Sequence, residues 1–319
     1  MKKNLFLLIF CSIHCFLMAQ FAPPASQPGS TAIAKDDIRI TAWATACTIE
    51  RGWLNIADTS LGHATVGNTN AALGMALSNG VISLGDKGSI TCSFLSGIVN
   101  GPGYDFAVFE NSFQEDFLEL AFVEVSSDGI HFVRFPSTSY TQDTIQKDTF
   151  GLIDARSINN LAGKYKAGFG TPFDLEELED SINIDLNDIV YVKLIDVCGS
   201  VNVDYASYDQ FGHIINDPWP TPFPSSGFDL DAIAVLNAKY GLGIHESDAP
   251  HSWTAYPNPF KESITMRGAD MILFELLNSF GQVISTFNAS ESINTSTLTK
   301  GLYLLHNKQD NTYMKVIKE

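Results

Sequence analysis

From Ile38 onward, short apolar runs are separated by glycine, asparagine and proline, a pattern that predicts strands and turns. Expected strands are Ile38–Cys47, Val81–Leu84, Ser89–Phe94, Asp105–Glu110, Leu118–Ser126, His131–Phe135, Val190–Val197 and Asp229–Leu236. Runs such as YDFAVF, LAFVEV and VYVKLI are apolar on both faces in part, which suits inner strands of two packed sheets. Only Asn70–Leu77 and Leu175–Leu178 suggest helical turns. Strands and helices do not alternate, so a parallel α/β fold is excluded and the class is all-β. Val123–Phe135 reads as a hairpin around Asp128-Gly129, a pair suited to a type I′ turn. The polar, irregular stretch between Pro136 and Asp188 is long for a loop and reads as a flap over one end of the sandwich.

The pattern divides the chain into five parts. Residues 1–19 read as a signal peptide: Lys2 and Lys3 precede a 14-residue apolar stretch, Leu5–Met18, too short to span a bilayer comfortably. Residues 20–37, rich in proline, serine and glycine, read as an irregular lead-in, and 38–237 as the main sandwich. Residues 238–252 lack a strand pattern and read as a linker. Residues 253–319 read as a second small β unit with strands near Ser263–Met266, Leu273–Leu277, Val283–Phe287, Leu302–Leu305 and Met314–Ile317. After the signal, no run reaches the length that predicts a membrane-spanning helix.

Charge narrows the partners. Nineteen Lys and Arg against 36 Asp and Glu give a net charge of −17, a surface that repels phosphate backbones and anionic lipid. Nucleic-acid binding is therefore excluded from the expected functions. Removing a signal that carries Cys11 and Cys15 leaves Cys47, Cys92 and Cys198. Three cysteines allow at most one internal disulfide. Cys47 and Cys92 fall in strand-like runs and are candidate neighbours; three packed free thiols are the alternative.

Candidate chemistry lies in acidic and aromatic residues. Asp105, Glu110, Asn111, Asp229 and Asp231 sit in or beside apolar strands, where an unpaired charge is costly. They are the expected oxygen donors for one structural Ca²⁺ ion, unless backbone amides or water satisfy each of them. Glu110 with Glu124 or Asp105 is a carboxylate pair of the kind glycosidases use, a weak signal among so many acids. The 199–227 segment carries Tyr205, Tyr208, Trp219 and Phe223 beside Asp and Asn side chains, a set suited to stacking on a sugar. Trp219, flanked by prolines, is either a packing plug or such a platform. No serine-hydrolase elbow, zinc-protease helix, phosphate loop or complete EF-hand occurs.

The end of the chain carries ordered motifs: AYPNPF at 255–260, ESITMRG at 262–268, LFELLNSFGQVISTF at 273–287, INTSTLTKGLYLLH at 293–306, and a basic last strand, YMKVIKE. Together they resemble the type A C-terminal sorting domain of the type IX secretion system of Bacteroidetes. The positions that carry the likeness are Tyr256, Pro257, Asn258, Pro259, Gly281, Gly301 and Tyr303. The resemblance implies an Ig-like sandwich, crossing of the outer membrane with the type IX machinery as partner, and removal of the tail by a sortase. The product would be released or held at the cell surface.

Residues 30–237, with GDKGSIT, IVNGPGYDFAVFEN, FLELAFVEVSSDGIHFVRFP and GFDLDAIAVLN, resemble secreted bacterial proteins without an assigned activity. VEVSSDGIHF is distantly similar to a hairpin of discoidin-like, galactose-binding jelly rolls. The expected function is a secreted or surface-displayed binding protein for glycan or another surface component. The rivals are a secreted glycoside or ester hydrolase and a purely structural surface protein.

Overall fold

The computed structural model describes residues 21–239, 253–267, 272–278, 282–288, 292–309 and 312–319. The expected signal peptide, nearly all of the expected linker, and Gly281 lie outside these residues.

Eight strands, numbered here in chain order, build the frame of the main unit: Ala42–Trp43, Ser89–Ile98, Phe106–Glu110, Ala121–Ser126, Val133–Arg134, Phe169–Phe173, Ile189–Asp196 and Asp229–Val235. One sheet runs in the order sixth, third, eighth, first; the other runs second, seventh, fourth, fifth. Every pairing in both sheets is antiparallel. This strand order, with only the fourth and fifth strands consecutive within one sheet, is the double Greek-key order of a jelly roll. Short strands extend the edges: Ile33–Ala34 beside Phe169–Phe173, and Ala46–Glu50 beside Ser89–Ile98.

Between the sheets lies one apolar core. Ile90, Cys92, Phe94, Val123, Val125, Val192 and Leu194 from one sheet meet Phe106, Val108, Phe173, Leu230, Ile233 and Val235 from the other. Alternation decides this: Ile90, Cys92 and Phe94 are buried while Ser89, Thr91 and Ser93 are only partly so.

The structure revises several expectations. Ile38–Cys47 is not one strand, because the chain crosses between sheets at Ala44–Thr45, so that 42–43 and 46–50 pair in different sheets. Phe169–Phe173 lies inside the expected flap as an inner strand, although Pro172 lacks an amide donor and Gly170 has no side chain. The expected lead-in supplies Ile33–Ala34 to its edge. The hairpin pairs Glu124 with Arg134 and Val125 with Val133, but only Gly129 of the turn pair has positive φ, so the turn is not type I′. Asp128 Oδ1 instead accepts from Ile130 N and His131 N, both at 2.8 Å, and holds a wider loop. The two helical stretches are single 3₁₀ turns, Thr69–Ala72 and Leu175–Leu178.

The tail forms two further antiparallel sheets. One holds Thr254–Tyr256, Ser263–Arg267 and Ser292–Asn294; the other runs 283–288, 273–278, 301–307, 312–318. Their core contains Trp253, Phe260, Ile264, Phe274, Leu276, Tyr303, Leu305 and Val316.

Candidate functional site

One end of the main sandwich gathers six acids from segments far apart in sequence. Asp196 ends its strand and accepts from Phe228 N at 2.7 Å and Lys87 N at 3.0 Å. Gly227, at φ 71°, permits this approach: a Cβ there would stand 2.6 Å from Asp196 Oδ1. Asp217 accepts from Leu120 N at 2.7 Å. Asp86 Oδ2 accepts from Ile56 N at 2.8 Å and from the Trp219 indole Nε1 at 2.9 Å. Asp229 accepts from Ser83 Oγ and is bonded by the Asn111 side chain. Glu110 Oε2 accepts from Ser112 N at 2.8 Å, while its Oε1 is buried with no partner among the described residues. Glu119 is the half-buried member.

Burial is the largest cause that pushes Glu110, Glu119, Asp196 and Asp217 well above the usual carboxylate range, and repulsion among the six adds to it. Burial also raises Asp86, and it pushes Asp229 up to about 6 against the pull of Ser83, Asn111 and Arg51. These acids hold protons more tightly than surface carboxylates do. Chemically the cluster offers hydrogen-bond donors and acceptors tied to loop backbone.

The five expected calcium donors are not brought to one point. Asp105 and Glu110 stand at opposite ends of one strand, about 16 Å apart at roughly 3.3 Å per residue. Asp105 is satisfied locally, by Gly101 N and the Asn237 side chain on Oδ1 and by Leu175 N on Oδ2. Both oxygens of Asp231 face Leu77 N at 3.0 Å. Glu110, Asn111 and Asp229 do stand together, but no group of three or more His, Cys, Asp or Glu among the described residues has metal-holding geometry. The suggested pairs fail likewise: Glu124 sits on the other sheet and is paired with Arg134 at 2.8 Å. The acids that lie near Glu110 are Asp229 and Glu119.

Beside the acids runs a strip of aromatic rings. Phe113 stacks on Phe117 with centroids 5.3 Å apart, Phe117 meets Phe150 at 6.2 Å, and Phe150 meets Phe223 at 6.4 Å. Phe113, Phe150 and Phe223 are 76%, 66% and 46% exposed. Trp219 is half-buried, anchored through Asp86, with its ring 6.3 Å from Tyr205. It is a plug with one open edge. Tyr208 is exposed on a separate turn, bridged to Ile214. Of the four expected aromatic contacts, then, Trp219 and Tyr205 are neighbours, Phe223 belongs to the phenylalanine strip, and Tyr208 lies apart.

The flap over this end is pinned. Buried Asn216 donates to Gln142 O and Ile145 O, each at 2.7 Å, and accepts from Lys147 N at 3.0 Å. Gln146 adds bonds to Gly199 O and Val201 N, and Thr149 Oγ1 donates to Pro220 O at 2.8 Å. These bonds fix Phe150 beside Phe223. Sequence reading missed Phe113 and Phe150, because each is a single aromatic in a polar loop.

In the tail, the expected motif residues hold the fold's ends together. Asn258 Oδ1 accepts from Ile317 N at 2.9 Å and its Nδ2 donates to Lys315 O at 2.8 Å. Phe260 N donates to Ile317 O at 2.8 Å. Tyr256 is capped by the Arg267 guanidinium at 4.3 Å, with Pro257 and Pro259 flanking Asn258. Tyr303 is buried and donates to Thr299 O at 2.9 Å, and Gly301 opens its strand at φ 154°. Residues 254–319 match the family model of the secretion system C-terminal sorting domain. The tail is a secretion sorting domain. It indicates export of the chain by the type IX secretion machinery. No curated protein and no solved structure gives a significant match, so neither links the main unit to discoidin-like proteins. No helix among the described residues is long and apolar enough to cross a membrane.

Proposed function

We propose that the main unit is an extracellular binding module, exported by its tail, that receives a glycan at the aromatic loop end. The observation that carries this is the exposed strip Phe113–Phe150–Phe223 beside carboxyl groups tied to rigid loops. Sugar rings present C–H faces to aromatic rings and hydroxyls to acids and amides. Export brings the module to the medium or the cell surface, where such ligands are found.

A hydrolase is favoured less by the electrostatics. A glycosidase needs one acid protonated and a second ionised. Here burial and repulsion raise Glu110 and Glu119 together.

The test is a glycan array probed with the exported full chain. Binding is expected, and Phe150→Ala with Phe223→Ala is expected to weaken it at least tenfold, with Trp219→Ala weakening it less. Silence across the array removes the reading. Turnover of chromogenic glycosides that disappears in Glu119→Gln would replace it with the hydrolase.

A further inference from the structure

Cys47 and Cys92 are direct partners in the antiparallel register of Ala46–Glu50 with Ser89–Ile98. Opposed residues in such a ladder have Cα atoms about 4.5 or 5.5 Å apart, both within the span a disulfide bridges. Both side chains lie on the core side of the sheet, Cys92 fully buried within the core and Cys47 half-buried against it. Cys47 Sγ donates to Thr69 O at 3.1 Å, and the Cys92 thiol is close enough to lower the Cys47 pKa. Cys198, by contrast, is buried at the acidic end, near Asp86 and Asp196.

We propose that Cys47 and Cys92 close a cross-strand disulfide during export, while Cys198 stays a free thiol. The tail carries the chain into compartments where disulfides form and persist. The oxidant is a disulfide donor, such as a thiol–disulfide oxidoreductase in its oxidised form. The Cys47 thiolate attacks the donor's disulfide, forms a mixed disulfide and releases one donor sulfur as a thiol. The Cys92 thiolate then attacks Cys47 Sγ and releases the second donor thiol. Two protein thiols become one disulfide, one donor disulfide becomes two thiols, and both protons end on the donor.

The order of attack follows from the surroundings. The hydrogen bond from Cys92 holds the Cys47 thiol below its ordinary value, and Cys47 is the more exposed of the two. Cys92 is pushed well up by that bond and by burial, so it reacts second, within the mixed disulfide. The bridge staples an edge strand, Ala46–Glu50, to Ser89–Ile98, its one neighbour in the sheet among the described residues.

The test is thiol mapping of the exported full chain, denatured in N-ethylmaleimide without reductant and digested. Label is expected on Cys198 and not on Cys47 or Cys92. A peptide pair joined through those two, lighter by two hydrogens than its separate parts, should come apart on reduction. In Cys47→Ser, Cys92 is expected to take label, and in Cys198→Ser the bridge is expected to persist. Label on Cys47 and Cys92 in most wild-type chains overturns the proposal, as does a bridge that includes Cys198; neither readout requires a variant to fold.

Discussion

Asp231→Asn is expected to stabilise the main unit at neutral pH and to change it little in acid. Asp231 is 2% exposed, and burial pushes its carboxyl up to about 6 from an ordinary 3.8, with only the Leu77 amide pulling it back. The native chain therefore keeps this proton to about pH 6, whereas the unfolded chain releases it near pH 3.8. Between those values the native state binds more protons, so its stability falls as pH rises and the loss is complete above about pH 6. The gap between 3.8 and about 6 amounts to roughly 3 kcal/mol at about 1.36 kcal/mol per pH unit. Asparagine keeps an oxygen for Leu77 N–H and never pays the ionisation cost, although its new amide donor takes back about 1 kcal/mol if it is left without a partner. The expected gain at pH 7.5 is thus roughly 2–3 kcal/mol, or about 4–12 °C in melting temperature for a unit of this size. The assay is calorimetry of wild type and variant at about pH 4, 5, 6 and 7.5, which spans the window between the two values, in EDTA. Parallel melting curves across the series would refute the reasoning. A second series in millimolar Ca²⁺ separates proton from ion: if calcium raises the wild type at pH 7.5 and flattens its slope, these acids hold a cation.

Asn216→Ala leaves the 142–147 backbone without three hydrogen bonds inside a buried site; it is expected to cost about 2–4 kcal/mol and to increase protease cutting near residues 142–152. Asn258→Ala removes both side-chain bonds that join the tail's first turn to its last strand, and about 1–2 kcal/mol of tail stability is expected to go with them. The checks are the tail's melting temperature and the fraction of protein recovered in the medium, and removal of residues 254–319 should abolish export altogether.

The strands were legible in the sequence because alternation is a local property. Ser89–Phe94 and Asp229–Leu236 differ from the observed strands only at their ends. The sorting tail was legible too, since AYPNPF and GLY-type turns lie in order along a short stretch. Phe169–Phe173 was not, because Gly170 and Pro172 carry loop signals that tertiary pairing on both sides overrode. The carboxyl cluster was only half visible. Single acids in apolar strands stood out, but which of them meet depends on how Asp86, Glu119, Asp196 and Asp217 return to one end of the sandwich. The calcium set joined Asp105 to Glu110 because they are close in sequence, and a strand separates such residues by its full length. Pairing of Cys47 with Cys92 likewise waited on register, which a one-residue slip would have undone. Sequence determined the local periods and the export signal, because neighbouring residues encode them. Tertiary structure decided which charges, rings and thiols touch, because those distances are set only when remote strands close on a common core.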